Sequence, residues 1–121
     1  MAKLRLLIVD DSPFIHKNIK KALPADKFDI CGTAQNGKEG IDLYFSLYPD
    51  VVTMDITMPI MDGLEAAEEI LAKDKRARII MLSAMGDEEL IERAKALGVR
   101  AFLQKPFKAD EMMASIRRVF M

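Results

Sequence analysis

Leu4-Arg5-Leu6-Leu7-Ile8-Val9-Asp10-Asp11-Ser12-Pro13 is the stretch whose reading decides the fold. Leu4 to Val9 is a short, nearly continuous apolar run, as expected of a strand covered by helices on both faces of a parallel sheet. It ends abruptly on two carboxylates. Ser12 then stands where a side-chain oxygen can cap a helix, and Pro13 where the missing N–H of a first helical residue costs nothing. Strand, acidic loop and helix follow one another within a few residues.

The same pattern repeats outward along the chain. Val51-Val52-Thr53-Met54 and Ile79-Ile80-Met81-Leu82 are again continuous apolar runs, which predicts two more central strands. Phe28-Asp29-Ile30-Cys31-Gly32-Thr33 alternates and Ala101-Phe102-Leu103 is brief, so both belong nearer the sheet edges. Between and after the strands lie helical spacings: Phe14, Ile15, Ile19 and Leu23; Ile41, Tyr44, Phe45 and Tyr48; Leu64, Ala67 and Leu71; Leu90, Ile91, Ala94 and Leu97; Met112, Ile116 and Val119. Asn36-Gly37 reads as a turn and Gly98 as the stop of the fourth helix. A strict βα alternation with short loops predicts an α/β fold, a doubly wound parallel sheet of five strands with five helices.

With 121 residues, half of them apolar, the chain reads as a single domain over residues 1–121. Lys and Arg number 18 against 19 Asp and Glu, so a net charge of −1 provides no general attraction to nucleic acid or to an anionic membrane surface. The single cysteine, Cys31, has no internal disulfide partner. The start, Met1-Ala2-Lys3 and a short apolar run, has neither the length of a membrane span nor a cleavage signal, so a cytoplasmic address is expected.

In an open α/β sheet, ligands bind beyond the carboxyl ends of the strands. Asp10 and Asp11 follow the first predicted strand, Asp55 the third, Ser83 the fourth and Lys105 the fifth. Each has a plain structural alternative when taken singly: Asp11 and Ser12 as caps, Asp55 as a turn residue, Ser83 as the cap of the fourth helix, Lys105 as a solvated lysine. Together they place matched chemistry at four strand ends of one edge. Three crowded carboxylates repel one another unless a cation neutralises them, and Mg²⁺, or Mn²⁺ in its place, suits an all-oxygen site. Asp55 is then the candidate nucleophile for an acyl phosphate, with Lys105 and Ser83 placed to stabilise phosphoryl oxygens.

These residues resemble bacterial two-component response-regulator receivers. The resemblance rests on Val9-Asp10-Asp11-Ser12, Met54-Asp55-Ile56-Thr57-Met58-Pro59, Met61-Asp62-Gly63, Ser83-Ala84-Met85-Gly86 and Lys105-Pro106-Phe107, and it is nearest to the stand-alone CheY-like receivers of chemotaxis. It implies a flavodoxin-like strand order 2-1-3-4-5. It also implies Mg²⁺ held by Asp10, Asp11, Asp55 and the Thr57 backbone carbonyl, and phosphorylation of Asp55 by a histidine kinase. A cis peptide between Lys105 and Pro106 and a switch through Ser83 and Phe102 are implied too, with Ala84 small enough to leave the aromatic room. The implied partners are the kinase and a downstream protein, the flagellar motor switch being one such target, met by a monomer. No turnover of external substrates is expected, only self-phosphorylation and autodephosphorylation.

Other readings fit less well. A metal-dependent phosphohydrolase of the haloacid-dehalogenase type carries a second Asp two positions after its nucleophile, where Thr57 stands here. Flavin binding needs a neutral phosphate loop, whereas Asp10-Asp11 would repel phosphate. A phosphorelay receiver, or a receiver cut from a longer regulator, stays open. Two surfaces are candidates to meet partners, an apolar one from Phe107, Met112, Met113 and Met121 and a basic one from His16 with Lys17, Lys20 and Lys21, although methionines at helical spacing are more often core and such a basic face is more often simply solvated.

Overall fold

The computed structural model describes residues 2–121. Its elements alternate along the chain: β1 (Leu4–Val9), α1 (Pro13–Ala22), β2 (Phe28–Ala34), α2 (Gly37–Leu47), β3 (Val51–Asp55), α3 (Gly63–Lys73), β4 (Ile79–Ser83), α4 (Glu88–Leu97), β5 (Ala101–Gln104) and α5 (Ala109–Val119). The five strands form one parallel sheet in the order β2-β1-β3-β4-β5. The continuous apolar runs are the central strands and the two weaker ones the edges, because a central strand is covered on both faces.

Alternate residues of each strand feed two apolar layers. Leu7, Val9, Val52, Met54 and Met81 pack with Ile41, Leu64, Ile70 and Ala94, so α2, α3 and α4 cover one face. Leu6, Ile8, Val51, Ile80 and Leu82 pack with Ile15, Ile19, Met112 and Ile116, so α1 and α5 cover the other. No described helix is long and apolar enough to cross a membrane.

Local signals act as read. The Ser12 hydroxyl accepts from the Ile15 N–H and Pro13 opens α1. Gly98 ends α4 with φ +108°, a conformation that favours glycine. Three readings are corrected. Asn36-Gly37 is not a free turn: Asn36 caps α2, its side chain accepting from the Glu39 N–H, and Gly37 is the first helical residue. Phe14, expected on the packed stripe of α1, is 68% exposed, because the sheet-facing side of the helix runs through Ile15 and Ile19 instead. Tyr48 lies just past α2 in a left-handed conformation and is 61% exposed.

One core atom is unsatisfied. Thr53, in the middle of β3, is fully buried beside Ile8 and Ile80, and its Oγ1 has no hydrogen-bond partner among the described residues. Burying a hydroxyl without a partner costs about 1–3 kcal/mol. Thr53→Val, which keeps the shape and the β-branch, is therefore expected to raise stability by about 1 kcal/mol in urea denaturation. An unchanged or lower midpoint would mean that the hydroxyl is satisfied.

Candidate functional site

The carboxyl ends of β1, β3, β4 and β5 bring the polar residues to one edge. Asp10 follows β1 directly and is fully buried, Asp55 is the last residue of β3, and Ser83 is the last of β4 and buried. One carboxylate oxygen from each of Asp10, Asp11 and Asp55 falls within a group spanning no more than 4.8 Å, with Asp11 the exposed member. The Lys105 ammonium enters from beyond β5, 2.8 Å from Asp10 Oδ2 and 3.3 Å from Asp55 Oδ1.

Backbone bonds hold these groups in place. The Lys105 N–H donates to the Ser83 carbonyl at 2.8 Å, extending the β4–β5 ladder by one step and tying the lysine to the serine's strand. The Lys105-Pro106 peptide is cis. The Asp10 carboxylate spends its other oxygen, Oδ1, on the Ser12 N–H at 2.8 Å, so the loop that starts α1 orients the acid. Thr57 lies in the β3–α3 loop two residues past Asp55, its side chain exposed.

Charge and burial set the protonation of the pair. Desolvation, then the neighbouring Asp10 charge, push the Asp55 carboxyl up to about 6, against the opposing pull of Lys105; Asp11 adds to the rise. Burial works to lower the Lys105 pKa, but the hydrogen bond to Asp10 and the charges of Asp55 and Asp10 outweigh it, and the ammonium is held above its ordinary value. A carboxylate that resists ionisation beside two more is a site short of positive charge. A hard divalent cation fits this all-oxygen donor set, and Asp10, Asp11 and Asp55 are the residues able to hold one.

Two further groups serve this site and were not read from the sequence. His16 is not a free docking side chain: its Nε2 lies 2.7 Å from the Asp10 carbonyl oxygen, an arrangement in which the ring N–H donates. Only its place early in α1, one turn past the acidic loop, could have hinted at this. Gly63, at the start of α3, donates its N–H to the Ile56 carbonyl at 2.7 Å and lies against the Asp55 backbone. On the predicted apolar surface, Met112 is fully buried, whereas Phe107 and Met113 are half-buried and Met121 is exposed. Phe102, on β5, is half-buried against the α2/α3/α4 layer, with the Lys95 ammonium 5.9 Å from the centre of its ring.

Known proteins resemble this chain over nearly its whole length. The chemotaxis protein CheY of Listeria monocytogenes is 44% identical over 115 residues, covering 95% of this chain and 97% of its own. CheY of Bacillus subtilis is 44% identical over 114 residues, covering 94% and 95%. Among solved structures, the CheX-CheY-BeF3-Mg complex of Borrelia burgdorferi superposes with a TM-score of 0.91 at 38% identity, covering 98% of this chain and 90% of that one. Residues 6–117, the span from β1 to the last turns of α5 that builds both apolar layers and the acidic edge, match the response regulator receiver domain, and the chain belongs to that family.

Proposed function

We propose that this receiver is a phosphorylation-dependent signalling switch whose phosphoacceptor is Asp55. The observation that carries the reading is the Asp55 carboxylate, held 3.3 Å from the Lys105 ammonium inside a cluster of three acids at one strand edge. In the reaction, the ionised Asp55 oxygen forms a bond to the phosphorus of a phosphohistidine on a histidine kinase. The P–N bond breaks, and the imidazole nitrogen leaves with the electron pair. Lys105, already between Asp10 and Asp55, holds a phosphoryl oxygen, and the Ser83 hydroxyl donates to another. Asp10, Asp11, Asp55 and the Thr57 carbonyl would hold Mg²⁺ or Mn²⁺, which would supply positive charge against the acids and the phosphoryl oxygens.

The aspartyl phosphate adds roughly two negative charges at the end of β3. Ser83 turns toward it, and the half-buried Phe102 fills the space vacated beside the small Ala84, remodelling the face of α4, β5 and α5. Carrying such a domain from mostly inactive to mostly active needs up to about 5 kcal/mol, within reach of a few charge-assisted hydrogen bonds. The output is a changed affinity for a partner protein, and the relatives named for chemotaxis favour that pathway; a cytoplasmic address and the flagellar motor switch as target complete the proposal. The neighbour solved with Mg and BeF3 supports the metal assignment. The protein acts as a signalling component and not as an enzyme turning over external substrates.

Intact mass after incubation with acetyl phosphate tests this. The expected result is a gain of one phosphoryl group that requires Mg²⁺ and is lost in Asp55→Ala. No gain by the folded, Mg²⁺-supplied parent would replace this reading with a receiver that signals by binding alone.

A further inference from the structure

The opposite end of the sheet carries a second concentration of charge. Lys75 and Arg76 lie in the turn after α3, Arg78 stands directly before β4, and Arg100 directly before β5. These two segments, the α3–β4 and α4–β5 connections, meet with Val119, Phe120 and Met121 at the end of α5 around an open cleft of about 440 Å³. Two of the guanidinium groups are already oriented. The Arg78 guanidinium carbon sits 4.3 Å from the centre of the Phe120 ring, and Arg100 Nη2 donates to the Val119 carbonyl at 3.3 Å. Each guanidinium has five N–H donors, so most remain free. Among the described residues, no carboxylate forms an ion pair with Lys75, Arg76, Arg78 or Arg100; the pairs found are Lys95 with Glu92 and Lys105 with Asp10 and Asp55.

We propose that this cleft binds an acidic segment of a partner protein. Four unpaired cations in a chain of net charge −1 are a local excess, and fixed guanidinium forks match carboxylates in bidentate geometry. The cleft is open, without the apolar walls that bury a small ligand. A long polyanion such as nucleic acid fits poorly, because it would run past the cleft onto Glu68, which lines the adjoining groove beside Lys75, and the molecule as a whole offers it no general attraction. A short segment carrying a few carboxylates needs only the cleft, and an apolar residue within it meets the exposed edge of Phe120. The cleft lies at the amino ends of β4 and β5, about 15 Å along the sheet from the Asp55 edge. A segment bound there leaves the phosphorylation site itself unoccupied, so the receiver can hold this partner without engaging Asp55.

Fluorescence anisotropy of a fluorescein-labelled peptide alternating Glu and Leu, titrated with the unphosphorylated protein, tests the site without engaging Asp55. The parent is expected to bind, with affinity falling as salt rises. The pair Arg78→Glu and Arg100→Glu is expected to weaken binding about tenfold or more. Because Arg78 and Arg100 also touch the end of α5, a second pair, Lys75→Glu and Arg76→Glu, changes only exposed side chains and is expected to weaken binding likewise with unaltered melting. Equal affinity in the parent and the second pair, or no binding by the parent, overturns the proposal. Tighter binding of ATP or of a short oligothymidylate than of the peptide also overturns it, reassigning the cleft to phosphate ligands.

Discussion

Gly63→Ala is expected to destabilise the protein by about 3–5 kcal/mol, among the largest effects of any single methyl group in this chain. A Cβ at this position would lie 2.1 Å from the Asp55 carbonyl oxygen, 2.9 Å from its carbon and 3.0 Å from the Ile56 Cα. All three are backbone atoms, so no side chain can rotate away. Relief requires α3 to withdraw from the end of β3, which breaks the 2.7 Å bond from the Gly63 N–H to the Ile56 carbonyl and shifts the strand end that carries Asp55. Gly37 closes on the same loop from the other side, where a Cβ would meet the Met61 and Asp62 carbonyl oxygens at 2.7 and 2.8 Å. Urea denaturation measures the loss, and Gly86→Ala is the control. Gly86 has φ +91° with open space around it, so its substitution costs only the left-handed backbone, about 1–2 kcal/mol. Equal losses at the two positions would mean that backbone conformation, not the close approach to Asp55, governs Gly63.

The second large effect is a pH-dependent coupling between Mg²⁺ and stability. Above neutrality, Mg²⁺ at a hundredfold excess over its dissociation constant is expected to stabilise the fold by about 2.7 kcal/mol, because only the folded chain gathers the three acids. The Asp55 carboxyl is raised from 3.8 to about 6 by burial and then by Asp10. In metal-free protein the folded state therefore holds a proton on Asp55 that the unfolded state has released. Stability from this group is fully present below pH 3.8 and lost as pH rises through about 6. Mg²⁺ works in the opposite sense, since it needs the ionised carboxylate and competes with that proton. Its stabilisation should shrink as pH falls through about 6. The measurement is the midpoint of urea unfolding from acid to neutral pH, with and without Mg²⁺, for the parent and Asp55→Asn. Carboxylates remote from the site contribute equally to both proteins, so the difference between them reports Asp55 together with the Asp10, Asp11 and Lys105 groups coupled to it. A metal-free difference that does not change between pH 4 and pH 7 would show that Asp55 titrates as an ordinary carboxylate.

The sequence by itself determined what depends on neighbours along the chain. Apolar runs of strand length named the three central strands, alternation and brevity named the edges, and Ser12, Pro13 and Gly98 marked helix ends through bonds made within one turn. Because parallel strands alternate with helices, all five strand ends point the same way, so the edge holding Asp10, Asp11, Asp55, Ser83 and Lys105 was legible before any coordinates. Motif resemblance added the strand order. Tertiary structure alone decided which groups touch and which face water. Lys105 meets Asp10 across 95 positions of chain, and burial where the strand ends converge raises Asp55 against the pull of that lysine. His16 looked like part of a basic surface because charge can be counted in a sequence, while the direction of a ring toward a carbonyl cannot. Phe14 left its expected place for the same reason: helical spacing states which residues share a face, and only packing against the sheet states whether that turn is covered. The basic cleft gathers short segments from three parts of the chain, each ordinary alone, and exists only because β4, β5 and α5 bring their ends together.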